Sequence, residues 1–352
     1  MKKGLWAVTY SLLLTALTAY IALDTFVISD RIDTDATTMN TSMFENIEKR
    51  SVLSDSEEEQ SSEDASKAES SEDNDTDSKR KHKNGASIID TINNDEDTDQ
   101  TDSQAESNAS SSEQDYDYSS DDIAVTMTEY YENNTKIYVA DIRLSSAQYM
   151  KSAFADDTYG KNVTDKTSQI AEDNDAVIAI NGDYYGAREK GYVIRNGVVY
   201  RDESSGDDIL CLFADGSMSI IDSDEYSAYE LVDMGVWQAW DFGPALIEDS
   251  SIAVSENDEV GKAMASNPRT AIGYIDDLHY VFVVSDGRTS ESEGLSLYQL
   301  AQFMQSIGVK TAYNLDGGGS STMYYDGELV NNPTTNGKTI KERGVSDIVY
   351  IG

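Results

Sequence analysis

The sequence predicts an α+β fold: mixed, largely antiparallel sheets with a few packed helices, preceded by an N-terminal transmembrane helix and a disordered acidic linker. Three observations carry that expectation. Short apolar runs rich in Val, Ile and Tyr alternate with Asn-Gly and Asp-Gly turns after Ile123, the pattern of hairpin-connected strands. One later segment has the helical period with a signal at each end. The charge is also divided: 26 Lys and Arg against 66 Asp and Glu give a formal net charge of −40, spread over three regions of different composition.

Residues 1–29 are expected to be a cytoplasmic tip and a membrane anchor. Lys2 and Lys3 precede a run without charge from Gly4 to Leu23. At about 1.5 Å per residue such a run spans about 30 Å, the thickness of a bilayer core. Positive residues on its N-terminal side put the N-terminus in the cytoplasm and the remainder outside. The expected location is therefore the cell membrane, single-pass, with the C-terminal domain extracellular. A cleaved signal peptide is the competing reading, but the run is long for one and no A-x-A site precedes Asp24. The single cysteine, Cys211, lies far from the run. That excludes a lipoprotein anchor here and an intramolecular disulfide framework anywhere.

Residues 30–122 hold 28 acidic and 8 basic residues, and between Arg31 and Asp115 the only aromatic is Phe44. Such a segment cannot bury enough apolar surface to offset its ordering entropy. It is expected to be a disordered, self-repelling spacer. The basic patch Lys79 to Lys83 reads as a charge break within it rather than a nuclear signal. The overall acidity argues against nucleic acid or anionic lipid as the main partner.

Residues 123–352 regain aromatics and apolar runs and suit one domain with its own core. Strands are expected at Lys136 to Ile142, Ala176 to Ile180, Gly191 to Val199, Ile209 to Phe213, Ala271 to Tyr274, His279 to Val284 and Lys310 to Leu315. Asn196-Gly197, Asp215-Gly216 and Asp326-Gly327 read as tight hairpin turns. The clearest helix is Ser296 to Ile307: Ser296 and Gln299 form a capping box, and Gly308 stops it. Shorter helical patterns run from Ser145 to Phe154 and from Thr164 to Ala171.

One strand leads into Asn314-Leu315-Asp316-Gly317-Gly318-Gly319-Ser320-Ser321-Thr322-Met323. Its glycines permit close backbone approach to a ligand. Successive N–H groups in such a turn can form an anion-binding nest, and the hydroxyls of Ser320, Ser321 and Thr322 can bond phosphate or sugar oxygens. No Lys follows the glycines, so the run is not a nucleotide triphosphate loop. Four further segments place charge at strand ends: Asn181-Gly182-Asp183-Tyr184-Tyr185, Asn267-Pro268-Arg269-Thr270-Ala271-Ile272-Gly273, Asp286-Gly287-Arg288 and Glu342-Arg343. Each alone is weak, because an arginine at a strand end is usually a surface ion pair.

Together with Asp241-Phe242-Gly243-Pro244, and in this order and spacing, the segments resemble the phosphodiester glycosidase family from about Ala176 to Ile351. One departure is Asp183-Tyr184-Tyr185, where many relatives carry Gly-Phe-Phe. The resemblance implies hydrolysis of a sugar-1-phosphodiester at its glycosidic side, releasing a free sugar and a phosphomonoester. The anchor and acidic linker lie outside it and look like the arrangement in Gram-positive surface proteins. The expected substrate is then a sugar-phosphodiester of a cell-surface glycan or exopolysaccharide.

The residue types suit that reaction. Arg269, Arg288 and Arg343 can offer bidentate donors to a phosphate. Gly317, Gly318 and Gly319 can add backbone N–H groups, and Thr270 stands beside Arg269. Glycosidic cleavage commonly uses two carboxyl groups, and Asp316, Asp286 and Asp183 are the candidates. Asp316 and Asp286 are expected at the reaction centre, with Asn181 on a sugar hydroxyl. No cofactor is expected. The same three aspartates could offer oxygen ligands to Ca²⁺, but no EF-hand loop is present, and His82 and His279 are too few for a His-based zinc site. The alternative to an enzyme is a non-catalytic module that binds phosphorylated surface glycans through the same groups.

Overall fold

The computed structural model describes residues 2–26, 30–31, 39–44, 117–258 and 266–352. The fold is α+β, and every strand pair among the described residues is antiparallel. An eight-stranded sheet runs in the spatial order Ser251–Ile252, Ala245–Glu248, Thr311–Asn314, Arg269–Asp276, His279–Ser285, Thr135–Leu144, Ile123–Glu132 and Asp117–Ser119. One five-stranded sheet is built from Met150–Phe154, Asp347–Ile351, Ile178–Asn181, Met323–Tyr325 and Glu328–Leu329. The other holds Met218–Asp222, Asp208–Phe213, Val236–Trp240, Val193–Arg195 and Val198–Arg201.

Alternation of side chains gives the large sheet two apolar faces. Ala271, Val281 and Val283 face one side, and Ile272, Phe282 and Val284 face the other. The helix Leu297–Ser306 covers the first face with Leu297, Leu300, Ala301 and Met304. The second face packs on residues of both smaller sheets, Ile178, Ile180 and Val349 from one and Leu210, Trp237 and Trp240 from the other. Each of these aliphatic side chains contributes about 1.5–3 kcal/mol by leaving water. The core is therefore shared by three sheets.

The expected helix at Ser296 to Ile307 forms with its capping box: Gln299 N donates to Ser296 Oγ at 3.1 Å, and Ser296 N donates to Gln299 Oε1 at 2.9 Å. Thr164 to Ala171 yields a helix shifted to Thr167–Asp173. The run Gly191 to Val199 divides into two strands at Asn196-Gly197, where φ is 53° and 74°, as a tight hairpin turn requires. Ser145 to Phe154 is not a helix. A single turn at Ala147–Tyr149 leads into the strand Met150–Phe154, which pairs with Asp347–Ile351. A stretch this short is a marginal helix by itself, and the ladder with Asp347–Ile351 prevails.

At the N-terminus, Lys2–Phe26 is a helix of 25 residues, and its described side chains, residues 9–21 and 23, are exposed. Among the described residues no helix is long and apolar enough to cross a membrane. Most of the acidic stretch, with the Lys79 to Lys83 patch, lies outside the described residues. Its two flanks do not. Asp30–Arg31 pairs with Gly160–Lys161. Asn40 N donates to Asn196 O at 3.0 Å, and the Phe44 ring meets Trp237 edge-on with centroids 5.0 Å apart. Gly197 has φ 74°, which strains any other residue, and a Cβ there would lie 3.0 Å from Asn40 O of this segment. At the far end Asp117–Ser119 pairs with Ala124–Thr126. Residues 30–31, 39–44 and 117–119 are thus seated on the domain.

One polar cluster ties the two smaller sheets together. Arg195 is 1% exposed and lies 2.8 Å from both Asp183 Oδ2 and Asp347 Oδ2. Its Nε donates to Asp347 Oδ2 at 2.9 Å, and Nη1 donates to Ala239 O. One guanidinium cannot neutralise two buried carboxylates. Burial outweighs the Arg195 charge at Asp347, with Asp183 adding repulsion, and raises its pKa to about 7.

Two predictions follow from these contacts. Phe44→Ala should cost about 1–2 kcal/mol of stability, from lost burial and an edge-to-face pair, and should open Trp237 to acrylamide quenching; unaltered quenching would mean the segment does not cover that ring. Asp347 ionises near 3.9 when unfolded and at about 7 when folded, so the native state binds the extra proton in between. Its stabilising contribution is full below about pH 4 and lost as pH rises through about 7, at up to about 1.4 kcal/mol per pH unit. Unfolding melts across that range should show this slope, and Asp347→Asn should flatten it; an equal slope in the variant would point to other groups.

Candidate active site

The site is built around a buried amide. Asn181 ends the strand Ile178–Asn181 and is fully buried. Its Nδ2 donates to Asp316 O at 2.6 Å and to Gly182 O at 3.2 Å, while Oδ1 accepts from Thr270 Oγ1 at 2.9 Å and Thr322 N at 3.2 Å. Both donors and both lone pairs are engaged. Asn181 and Thr270 therefore hold the Asp316 loop in place and offer nothing to a ligand, which corrects the expected sugar contact of Asn181.

The glycine loop is also different from a nest. Gly318 N donates to Pro268 O at 2.8 Å, Ser320 N to Gly317 O and Ser321 N to Gly318 O, both at 3.3 Å. The Ser320 and Ser321 amides close a single helical turn, Gly318–Ser320, and the Gly318 amide is taken by Pro268. Gly318 has φ 65°, and a Cβ there would lie 2.8 Å from Arg288 Nη2, so glycine is what lets Arg288 lie across the loop. Ser320, Ser321 and Thr322 are fully buried and do not line the cleft. The hydroxyls of Ser321 and Thr322 have no hydrogen-bond partner there.

What faces outward is a cleft of about 120 Å³ between Asp316, Gly317 and Gly318 on one side and Arg269, Arg288, Asn267, Asn314 and Phe242 on the other. Asn267 Oδ1 accepts from Arg288 Nε at 3.2 Å and Nη2 at 2.9 Å, and Arg288 Nη1 donates to Thr335 O at 2.8 Å. Arg288 has φ 63°, a conformation that non-glycine residues rarely hold outside constrained sites. Arg269 is anchored through Nε on Leu295 O at 2.9 Å. Asn314 donates to Gly243 O, and its buried Oδ1 has no partner. Arg343 donates through Nη2 to Asp316 Oδ2 and lies over the Tyr184 ring, 5.6 Å from its centroid. Tyr184 is left-handed too, with φ 62°.

Electrostatics define the cleft further. Burial lowers the Arg288 pKa, and repulsion from Arg343 lowers it again. Two guanidiniums are thus close enough to disfavour each other, an arrangement that an anion between them would relieve. Burial raises the Asp316 pKa, opposed by the Arg343 charge and by the N–H of Gly317. The Ser320 hydroxyl also lowers it, from outside hydrogen-bond geometry.

The other two candidate carboxylates are elsewhere. Asp286 accepts from Asn332 N at 2.8 Å, Asn332 Nδ2 at 3.1 Å, Asn331 Nδ2 and the Tyr138 hydroxyl both at 3.4 Å. It clasps the 331–332 loop, and Asn331 in turn donates to Ser321 O. Asp183 is enclosed with Arg195, accepting also from Tyr185 N and Asp241 N. Asp316 is the one carboxylate among the residues lining the cleft. Among the described residues no three His, Cys, Asp or Glu side chains gather in a metal-binding group. Arg195, Asp347 and Thr335 carried no sequence signal, being brought in from distant strands and loops.

The chain has relatives among known proteins. The sequence model of the phosphodiester glycosidase family matches residues 174–352. SPbeta prophage-derived uncharacterized protein YomE of Bacillus subtilis (strain 168) is 30% identical over 182 residues, 49% of this chain and 28% of that protein. Mouse N-acetylglucosamine-1-phosphodiester alpha-N-acetylglucosaminidase is 34% identical over 91 residues, 25% of this chain and 17% of the enzyme. The chain thus spans under a third of the length of these relatives. Among solved structures, the pro-peptide-inhibited catalytic domain of zebrafish N-acetylglucosamine-1-phosphodiester alpha-N-acetylglucosaminidase superposes with a TM-score of 0.52 at 18% identity, covering 65% of this chain and 82% of that one. A hypothetical protein from Synechocystis gives 0.51 at 14% identity, covering 66% and 62%. These two share the fold. With the family match extending over more than half of its residues, the chain belongs to the phosphodiester glycosidase family.

Proposed function

We propose that this protein hydrolyses the glycosidic bond of sugar-1-phosphodiesters, releasing a free sugar and a phosphomonoester. The observation that carries the reading is the cleft itself, where Arg269 and Arg288 stand beside one carboxylate, Asp316, which Arg343 pairs from the adjoining groove. A phosphodiester carries one negative charge and becomes a dianionic monoester when its bond to the sugar breaks. Two guanidiniums stabilise the second charge as it develops.

Asp316 is the group left to act at the sugar carbon. A carboxylate whose pKa is raised by burial is a better base, and Arg343 keeps it ionised. In the reaction a water oxygen bonds to the anomeric carbon and its proton passes to Asp316. The carbon–oxygen bond to phosphate breaks with its electron pair going to the phosphate. Phosphate is a good leaving group, so a second carboxyl acid is not required. Phe242, Asn267 and Asn314 offer an aromatic edge and amides to a sugar ring.

Membrane attachment facing outward is part of the same proposal, supported by the sequence, in which Lys2-Lys3 precede an uncharged run from Gly4 to Leu23. A surface glycan is the substrate that location would supply.

Hydrolysis in ¹⁸O water should place the label on the sugar hydroxyl; label on the phosphate would move the cut to phosphorus and overturn the mechanism. Asp316→Asn should lower kcat by about 10²-fold or more, the size of general base effects, with folding intact. Arg288→Lys should lower kcat/KM about tenfold by removing the planar fork. Substrate binding without release of reducing sugar in the wild type would instead make this a binding module.

A further inference from the structure

Arg343 has two environments. Its guanidinium pairs with Asp316, and it also lines a second groove of about 610 Å³, against about 120 Å³ for the cleft. Thr335 is shared in the same way. Its carbonyl accepts from Arg288, its side chain packs against Gly319, and it lines the groove. The two spaces are therefore neighbours across the position that holds the phosphate in the proposed reaction.

The chemistry of the groove is distinctive. None of its lining residues carries an aliphatic or aromatic side chain; hydroxyls of Thr164, Thr335 and Thr339 stand among Lys166, Lys341 and Arg343. Its two carboxylates already have donors. Asp165 Oδ1 accepts from Lys166 N at 2.8 Å, and both Glu342 oxygens accept from Ser168, at 3.0 Å from N and 2.7 Å from Oγ. Lys166 and Lys341 are exposed, and among the described residues their ammonium groups pair with no carboxylate. On a domain with 37 acidic and 16 basic residues, this lining sets three cations against two carboxylates and is net positive.

We propose that this groove seats the leaving group, and that the leaving group is a polyanionic chain carrying a further phosphate beyond the one at the cleavage point. The inference rests on the reading of the cleft as a phosphodiester glycosidase site. The small cleft takes one sugar ring and Arg288 with Arg343 takes the scissile phosphate. The remainder of the substrate then runs along Thr335 toward Lys341 and Lys166. The lining offers no leucine-, isoleucine- or valine-type side chain to a lipid tail. A hydrated polyol or sugar chain with repeating phosphates fits the hydroxyls and the cations. The protein accordingly removes single sugars from phosphate groups on such a chain.

The test compares two substrates of the same sugar-1-phosphodiester, one with a methyl leaving group and one with a glycerol phosphate leaving group. The wild type should show kcat/KM about tenfold or more higher for the second, and Lys166→Ala with Lys341→Ala should reduce that ratio toward one, as loss of complementary charge does. In parallel, calorimetry with a short oligo(glycerol phosphate) should detect binding that the double variant weakens about tenfold. No preference between substrates, or a preference that survives the double variant, overturns the proposal. If neither substrate is hydrolysed, the reading of the cleft fails while calorimetry still decides the groove: binding lost in the double variant supports it, and absent or unaltered binding overturns it.

Discussion

The site depends on one amide. Asn181 makes four hydrogen bonds inside the core; one stays on its neighbour Gly182, and the others reach the strand beginning at Arg269 and both ends of the loop from Asp316 to Thr322. An unsatisfied buried polar group costs about 1–3 kcal/mol, so no partner can shift without leaving another unpaired. That coupling holds Asp316 at the mouth of the cleft with its carboxyl turned to Arg343. The carboxylates around it have similar positioning roles. Asp286 holds the 331–332 loop under Ser321, and Asp183 holds the turn from Tyr184 to Tyr185.

The charge distribution inside the domain follows from which carboxylates have counter-charges. Arg195 serves two aspartates in a dry location, where ion pairs offer specificity of packing more than net stability. Its partners come from two sheets, so the arginine fixes how those sheets meet. Arg188 sits similarly against Asp241, whose pKa rises to about 6 through burial, and over the Phe242 ring that borders the cleft. Arg195 thus sets geometry from within the core, while Arg288 borders the cleft and Arg343 pairs with Asp316 at its edge.

Much of the fold was legible from local pattern. Val-, Ile- and Tyr-rich runs located the central strands because these side chains fit a half-buried pleated surface. Ser296 with Gln299 located a helix end because the capping box is a local structure. The same signal, Ser227 with Glu230, marks the helix Ala228–Asp233, where it went unread. Ser145 to Phe154 misled because its pairing partner, Asp347–Ile351, lies nearly two hundred residues away. In the site, residue type indicated chemistry but not exposure. Asp183, Asp286 and Asp316 look alike in sequence, each at the end of an apolar run. Only tertiary structure separates a carboxylate enclosed by Arg195, one surrounded by Asn331 and Asn332, and one at a cleft. Arg195 and Asp347 are 152 residues apart, and neither stands in a pattern that announces the other.

Residues 30–122 carry a net charge of −20 and residues 123–352 a net charge of −21, so the field that an anionic substrate must cross is repulsive. Beyond about 8–10 Å that field is screened at physiological salt, so it governs approach more than bound contacts. Inside that distance Arg288, Arg343, Lys166 and Lys341 set the local sign, and this is why so few cations suffice on so acidic a protein.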